Sequence, residues 1–280
     1  MVYRLLAAAV RVLLTSGTSV ASGTRVHLTR RVVFTLVVAG LLVAAAGAAA
    51  VAQRWMRIEP NVAYDGKFTF VRIRYTVYRR SGWEFDYPTM ERNLMLMMRE
   101  VTSLQPHFAE SNIHTFDDPE LLKYPIAYLS EPGCWEASES DVKALRAYLL
   151  KGGFLILDDF GDRRPYCPGD GAELLQAQSQ IQRAIPGAQL VRLTEAHPIF
   201  DSFFKIESLN TLSEGGYRCD PEYYGIFEGN DPKKRMLALL NMNNDIGDYW
   251  QFSATGFVPI PISNEAYKLG VNYIVYALTH

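Results

Sequence analysis

The chain reads as an α/β protein, a three-layer α/β/α sandwich built on a mainly parallel sheet. Three observations predict it. Segments of strand length alternate with amphipathic helical ones in the order β-α-β-β-α-β-α-β, the pattern that winds helices onto both faces of a sheet. Phe154 to Leu157 is apolar without interruption, as a parallel strand covered on both sides requires. At 280 residues and 49% hydrophobic content, the chain can bury the core of one large domain.

The N-terminus stands apart from that domain. Arg30 and Arg31 precede an apolar run from Val32 to Ala52 that ends in Ala50-Val51-Ala52, a small-residue cleavage pattern. Residues 1–52 therefore read as an export signal. Left uncleaved, a run of this length would serve as a membrane anchor. Thr29-Arg30-Arg31 matches a twin-arginine pattern only loosely. Either reading places the rest of the chain outside the cytoplasm, in the periplasm or facing it from the membrane. Residues 53–67 read as a linker, and 68–280 as the folded domain.

Phe68 to Tyr75 is rich in aromatic and β-branched residues and reads as the first strand, with Arg72 and Arg74 expected as solvated edge charges. After the turn at Gly82-Trp83-Glu84, Asp86 and Pro88 open a helix with Met90, Leu94, Met97, Val101 and Leu104 inward. Ile113 to Phe116 is a second strand, Asp117-Asp118-Pro119 caps a brief helical turn, and Pro125 to Leu129 is a third strand.

The central unit runs from Ser138 to Asp162. Ser138 is the N-cap of a helix with Glu139 and Asp141 in its first turn. Val142, Leu145 and Leu149 repeat at helical spacing, and Gly152 suits the left-handed end. The strand that follows ends in Asp158-Asp159, where ligands collect in open α/β sheets. Glu173 to Ala184 is a helix with Leu174, Leu175 and Ile181 inward, and Gln189 to Leu193 a strand followed by His197-Pro198. Later strands are expected within Ile206 to Leu212 and Gly225 to Leu240, the latter turning at Gly229 to Pro232. The polar cluster Asn243 to Asp248 follows, and a helix from Glu265 to Thr279 closes the chain.

A formal charge of -2 and the lack of any basic stretch interleaved with aromatics exclude a nucleic-acid partner held by bulk electrostatics. Three cysteines, Cys134, Cys167 and Cys219, have no metal-ligand spacing. One disulfide, for which the loop residues Cys134 and Cys167 are placed, and three unpaired thiols both fit that number.

Several segments together resemble a known family. Phe68 to Tyr75, the run LRAYLLKGGFLILDDFG from Leu145 to Gly161, His197 to Phe200, Asn243 to Asp248 and YKLGVNYIVYALTH from Tyr267 to His280 resemble the bacterial family called domain of unknown function 4159. The resemblance implies a fold like that of class I glutamine amidotransferases, a flavodoxin-like sandwich, and implies no particular activity. In active amidotransferases the nucleophilic cysteine sits at a strand-to-helix elbow of the form G-x-C-x-G. The equivalent here is Leu157 to Gly161, with Asp159 in the nucleophile's place. A carboxylate there cannot do a thiolate's work on an amide, so glutamine hydrolysis is not expected.

Asp158, Asp159, His197, Asn243, Asp245 and Asp248 all follow strand ends and are the candidate site. If the sheet order brings them together, the oxygens suit a hard divalent cation, the one cofactor to which this residue set points, with His197 as base or extra ligand. The same groups suit general acid/base work by Asp158, Asp159 and His197. Structural capping is the competing role, since paired Asp residues after a strand commonly accept backbone N–H bonds. Two function classes follow: an exported non-catalytic binding or scaffold domain with envelope proteins or a small polar ligand as partner, and a hydrolase, metal-dependent or not, acting on a polar envelope substrate.

Overall fold

Seven strands form one sheet, in the order β2-β1-β3-β4-β7-β6-β5. They are β1 (Val71–Ile73), β2 (Asn112–His114), β3 (Ile126–Ser130), β4 (Phe154–Phe160), β5 (Val191–Arg192), β6 (Glu222–Phe227) and β7 (Met236–Met242). The pairings from β2 across to β7 are parallel, and β6 runs antiparallel between β7 and β5. The computed structural model describes residues 58–76, 82–161, 172–212 and 220–280. The expected export signal or anchor and the first five residues of the expected linker, 53–57, lie outside the described residues. Glu59–His280 form one compact unit. No helix among the described residues is long and apolar enough to cross a membrane.

Alternation along the central strands splits their side chains between two cores. Ile126, Tyr128, Phe154, Ile156 and Leu239 face one side, where α1 (Thr89–Val101) and α5 (Ile260–Thr279) pack. Ala127, Leu129, Leu155, Leu157, Ala238 and Leu240 face the other, under α2 (Glu139–Leu150) and α3 (Ala172–Ala184). Both faces are covered, which is why β4 and β7 are buried at every position. Ser138 caps α2 as expected, and the structure closes a capping box there: the Ser138 hydroxyl accepts from the Asp141 N–H, and the Asp141 carboxylate accepts from the Ser138 N–H. In α5, Gly270 lets the helix approach closely, because a Cβ there would lie 2.6 Å from the Trp250 ring.

The structure corrects several expectations. Arg72 is buried, not a solvated edge charge: β1 lies inside the sheet between β2 and β3, so its side chain points into a core. Arg74, one residue past the strand, is exposed as expected. Ile206–Leu212 forms no strand; Ile206, Leu209 and Leu212 instead plug the α5-side core from a chain of turns. Helix α3 buries the face carrying Ala177, Ile181 and Ala184, which leaves Leu175 65% exposed on the opposite face. Helix α5 begins at Ile260, earlier than expected, since prolines are tolerated in a first turn. The near end of the linker is docked: Asn61 pairs through its side chain with both backbone groups of Ile113, at 2.8 Å each. Cys134 is disulfide-bonded, and its partner lies outside the described residues.

Candidate functional site

The carboxyl end of β4 is irregular, and the irregularity makes the site. Up to Leu157, β4 keeps register with β7, but the pairing shifts before Phe160. In a regular strand Asp158 and Asp159 would point to opposite faces. Asp159 instead takes φ 66°, a left-handed conformation that aspartate tolerates better than most side chains. Its N–H donates to the carbonyl of Asn244. Its carboxylate accepts from the Ser130 hydroxyl at 3.1 Å.

Asp158 is wholly buried and fully employed. Tyr128 donates to Oδ2 at 2.7 Å, as do the N–H groups of Ile246 at 3.0 Å and Gly247 at 3.2 Å. The Asn241 amide donates to Oδ1 at 3.0 Å. The carboxylate thereby ties β3 and β7 to the start of α4 (Ile246–Gln251). Burial nevertheless outweighs these donors and pushes Asp158 up to about 6. This is the capping role, carried out in the interior.

A residue outside the expected site completes it. Asp86 also takes a left-handed conformation, at φ 66°, and places no side-chain cap on α1. Its carboxyl faces Asp248 instead. Burial, then the Asp248 charge, push it up to about 7. One carboxylate oxygen from each of Asp86, Asp159 and Asp245 falls within 4.8 Å of the others. Asp245 also caps α4 by accepting from the Asp248 N–H at 3.0 Å. Gly247 leaves room for this approach, since a Cβ there would lie 3.3 Å from Asp86 Oδ2 and 2.8 Å from Met90 Sδ.

Asp86 is presented by a loop that Arg72 holds from beneath, donating to the carbonyls of Trp83 at 2.8 Å and Phe85 at 2.9 Å. Read from sequence, Asp86 beside Pro88 is an ordinary helix opener. Only its left-handed backbone turns it into the rim, and no spacing rule announces that.

The other expected residues divide. Asn243, also left-handed at φ 56°, borders the rim through its backbone, and its side chain donates to the carbonyl of Asp220 at 3.3 Å. His197 does not converge. Its ring lies 5.7 Å from the rings of Phe227 and Tyr276. Phe227 pairs with the first residue of β7, and Tyr276 packs on Phe154, the first residue of β4. The imidazole thus sits at the amino end of the sheet, and β4 alone spans about 13 Å from Phe154 to Asp158. The cause is the path after β5: that strand runs parallel to β7 and carries Leu193 toward the carboxyl rim, where it bonds the Tyr223 carbonyl, and the turn from Thr194 to His197 then brings the chain back to the amino end. Burial lowers the His197 pKa, which favours a neutral ring that accepts from the Ile199 N–H at 3.3 Å.

The family model described as domain of unknown function (DUF4159) matches residues 69–278, three quarters of the chain. The chain belongs to that family. No curated protein matches it. In this DUF4159 domain the matched region takes in every rim residue named above. Chemically, the rim offers three carboxylate oxygens close enough to hold one hard cation, through Asp86, Asp159 and Asp245. It also offers an acid–acid contact between Asp86 and Asp248 that stores a proton near neutrality.

Proposed function

We propose that this DUF4159 protein is an exported binding or scaffold domain of the cell envelope, held near the membrane through its N-terminal segment, with a degenerate amidotransferase-like elbow and no glutamine hydrolysis. One observation carries the reading. Asp159 has the left-handed backbone of an elbow residue at a strand end, and a carboxylate stands where a thiolate would attack. Its carboxylate accepts from a serine hydroxyl, and the His197 imidazole lies at the other end of the sheet. Cys134, the nearby thiol on another strand end, is tied up in a disulfide.

The test is a glutaminase assay on the full chain, run beside thermal unfolding with candidate envelope ligands. No ammonia release above background is expected. Release that disappears in Asp159→Ala would refute the reading.

A second reading, a metal-dependent hydrolase, is favoured by the Asp86–Asp159–Asp245 oxygens and by the protonatable Asp86 beside them. Thermal unfolding with Mg²⁺, Ca²⁺, Mn²⁺ and Zn²⁺ separates the two. A shift of several degrees with one ion, absent in Asp159→Ala, would favour the hydrolase; no shift with any ion would favour the binding domain.

A further inference from the structure

The winding of the chain reverses at β1. Its crossover leads outward to β2, whereas β3 leads to β4 on the opposite side, so the carboxyl ends of β1 and β3 flank the topological switch point. In open α/β sheets that crevice is where ligands bind. A cavity of about 350 Å³ lies beside it, beyond the carboxyl ends of β1 and β2, lined by Arg74, Thr76, Trp83, Thr115 and Asp117, with Asp141 from the start of α2. Its size is at the small end of ligand pockets, which run from about 300 to 1,000 Å³.

The chemistry of the wall selects a ligand. Arg74 is exposed and forms no ion pair with a described residue, although Asp117 and Asp141 line the same cavity. Asp117 accepts from the Thr115 hydroxyl at 2.6 Å. Asp141 accepts from the Ser138 N–H at 3.0 Å and from its hydroxyl at 2.7 Å. The start of α2 is therefore already occupied by its own acid, and a bare phosphate would face two carboxylates. Besides the Arg74 guanidinium, the wall offers further lone pairs on Asp117 and Asp141 for a ligand's donors. Half-buried Trp83 adds an indole to the wall. A ligand rich in hydroxyl donors, with one acceptor charge and an apolar ring face, matches all three features.

We propose that this cavity binds an acidic pyranose, a hexuronic acid, with its carboxylate on the Arg74 guanidinium, its hydroxyls on Asp117 and Asp141, and its ring face against Trp83. The site is separate from the Asp86–Asp159–Asp245 rim and does not depend on either reading of that rim. The loop between Gly82 and Tyr87 lies between them, carrying Trp83 toward the one and Asp86 toward the other.

The full chain would be titrated with glucuronate, glucose and inorganic phosphate by calorimetry, with ligand-observed saturation-transfer NMR to identify the bound sugar face. Glucuronate should bind saturably and more tightly than glucose, and phosphate should not displace it. Arg74→Ala, at an exposed position, should keep the wild-type melting temperature and weaken glucuronate by about tenfold or more, as loss of a charge-assisted contact does. Asp159→Ala should leave sugar binding unchanged, which separates this site from the rim. Absence of saturable sugar binding would overturn the proposal. So would glucose binding as tightly as glucuronate, phosphate competing with the sugar, or Arg74→Ala binding like the wild type.

Discussion

Arg72 and Glu91 form an ion pair inside the core, Nε to Oε1 at 2.5 Å, with neither side chain more than 1% exposed. The guanidinium also lies over the Tyr128 ring, 5.3 Å from its centroid, and bonds the carbonyls of Trp83 and Phe85. One buried cation thus joins β1, α1 and the loop that presents Asp86. Removing one partner of such a pair leaves an uncompensated charge in the interior.

Arg72→Met should therefore cost about 3–5 kcal/mol. The double variant Arg72→Met/Glu91→Leu should recover only part of that loss, because the Trp83 and Phe85 carbonyls stay without their donor. Chemical denaturation of the three proteins measures it. Full recovery in the double variant would show that the loop carbonyls do not depend on Arg72.

The pH dependence of stability should run opposite to the usual acid-denaturation trend over one window. Asp86 and Asp158 are raised in the fold to about 7 and about 6, from the ordinary 3.8. Between the unfolded and folded values, the native state binds more protons than the unfolded chain. This stabilisation is complete below the unfolded value and is lost as pH rises through 6 and then 7. Melting should occur at a higher temperature near about pH 5.5 than near about pH 8, all else equal. Asp86→Asn should flatten the upper part of that slope and melt above the wild type at the alkaline end. A variant less stable than wild type at that end would contradict the assignment.

The adjacent acids should behave differently on truncation. Asp158→Ala strips the acceptor from Tyr128, Asn241 and two backbone N–H groups, all buried, and should cost about 3 kcal/mol or more. Asp158→Asn keeps an acceptor and should cost less. Asp159→Ala loses the hydrogen bond from the Ser130 hydroxyl at the rim and should stay folded. Equal costs for the two alanine variants, read from urea midpoints, would remove the distinction between tie and rim.

Gly247→Ala should also disturb the rim. The new methyl would meet Met90 Sδ at 2.8 Å and the Tyr128 hydroxyl at 3.2 Å, inside ordinary contact distances. Overpacking of this kind costs about 1–3 kcal/mol. Because Asp86 Oδ2 is the third neighbour, the Asp86–Asp248 contact should loosen, and the pH slope attributed to Asp86 should shrink with it. An alanine variant with wild-type stability and slope would mean that α4 gives way freely.

Much of this architecture is local information. The capped helix from Ser138, the uninterrupted strand after Gly152–Gly153 and the acids at its end are encoded within a few residues of one another. Helix caps, hydrophobic period and turn glycines act over that range. The likeness of scattered segments to DUF4159 extended the reading to the whole domain, and the family match agrees with it. The sequence also placed Asp159 and Asp245 at strand ends, which parallel pairing of β4 with β7 then made neighbours.

What the sequence could not decide depends on backbone handedness, loop path and strand order. Asp86 joins the rim because its φ is positive, and His197 misses it because the turn after β5 carries the chain back to the amino end. Arg72 is interior because β1 acquired neighbours on both sides, and no property of the segment Phe68 to Tyr75 specifies that. Composition and period report which side chains prefer to be buried. Which distant carboxylates share a proton or a cation is set by strand order, a long-range choice that only the packed sheet makes.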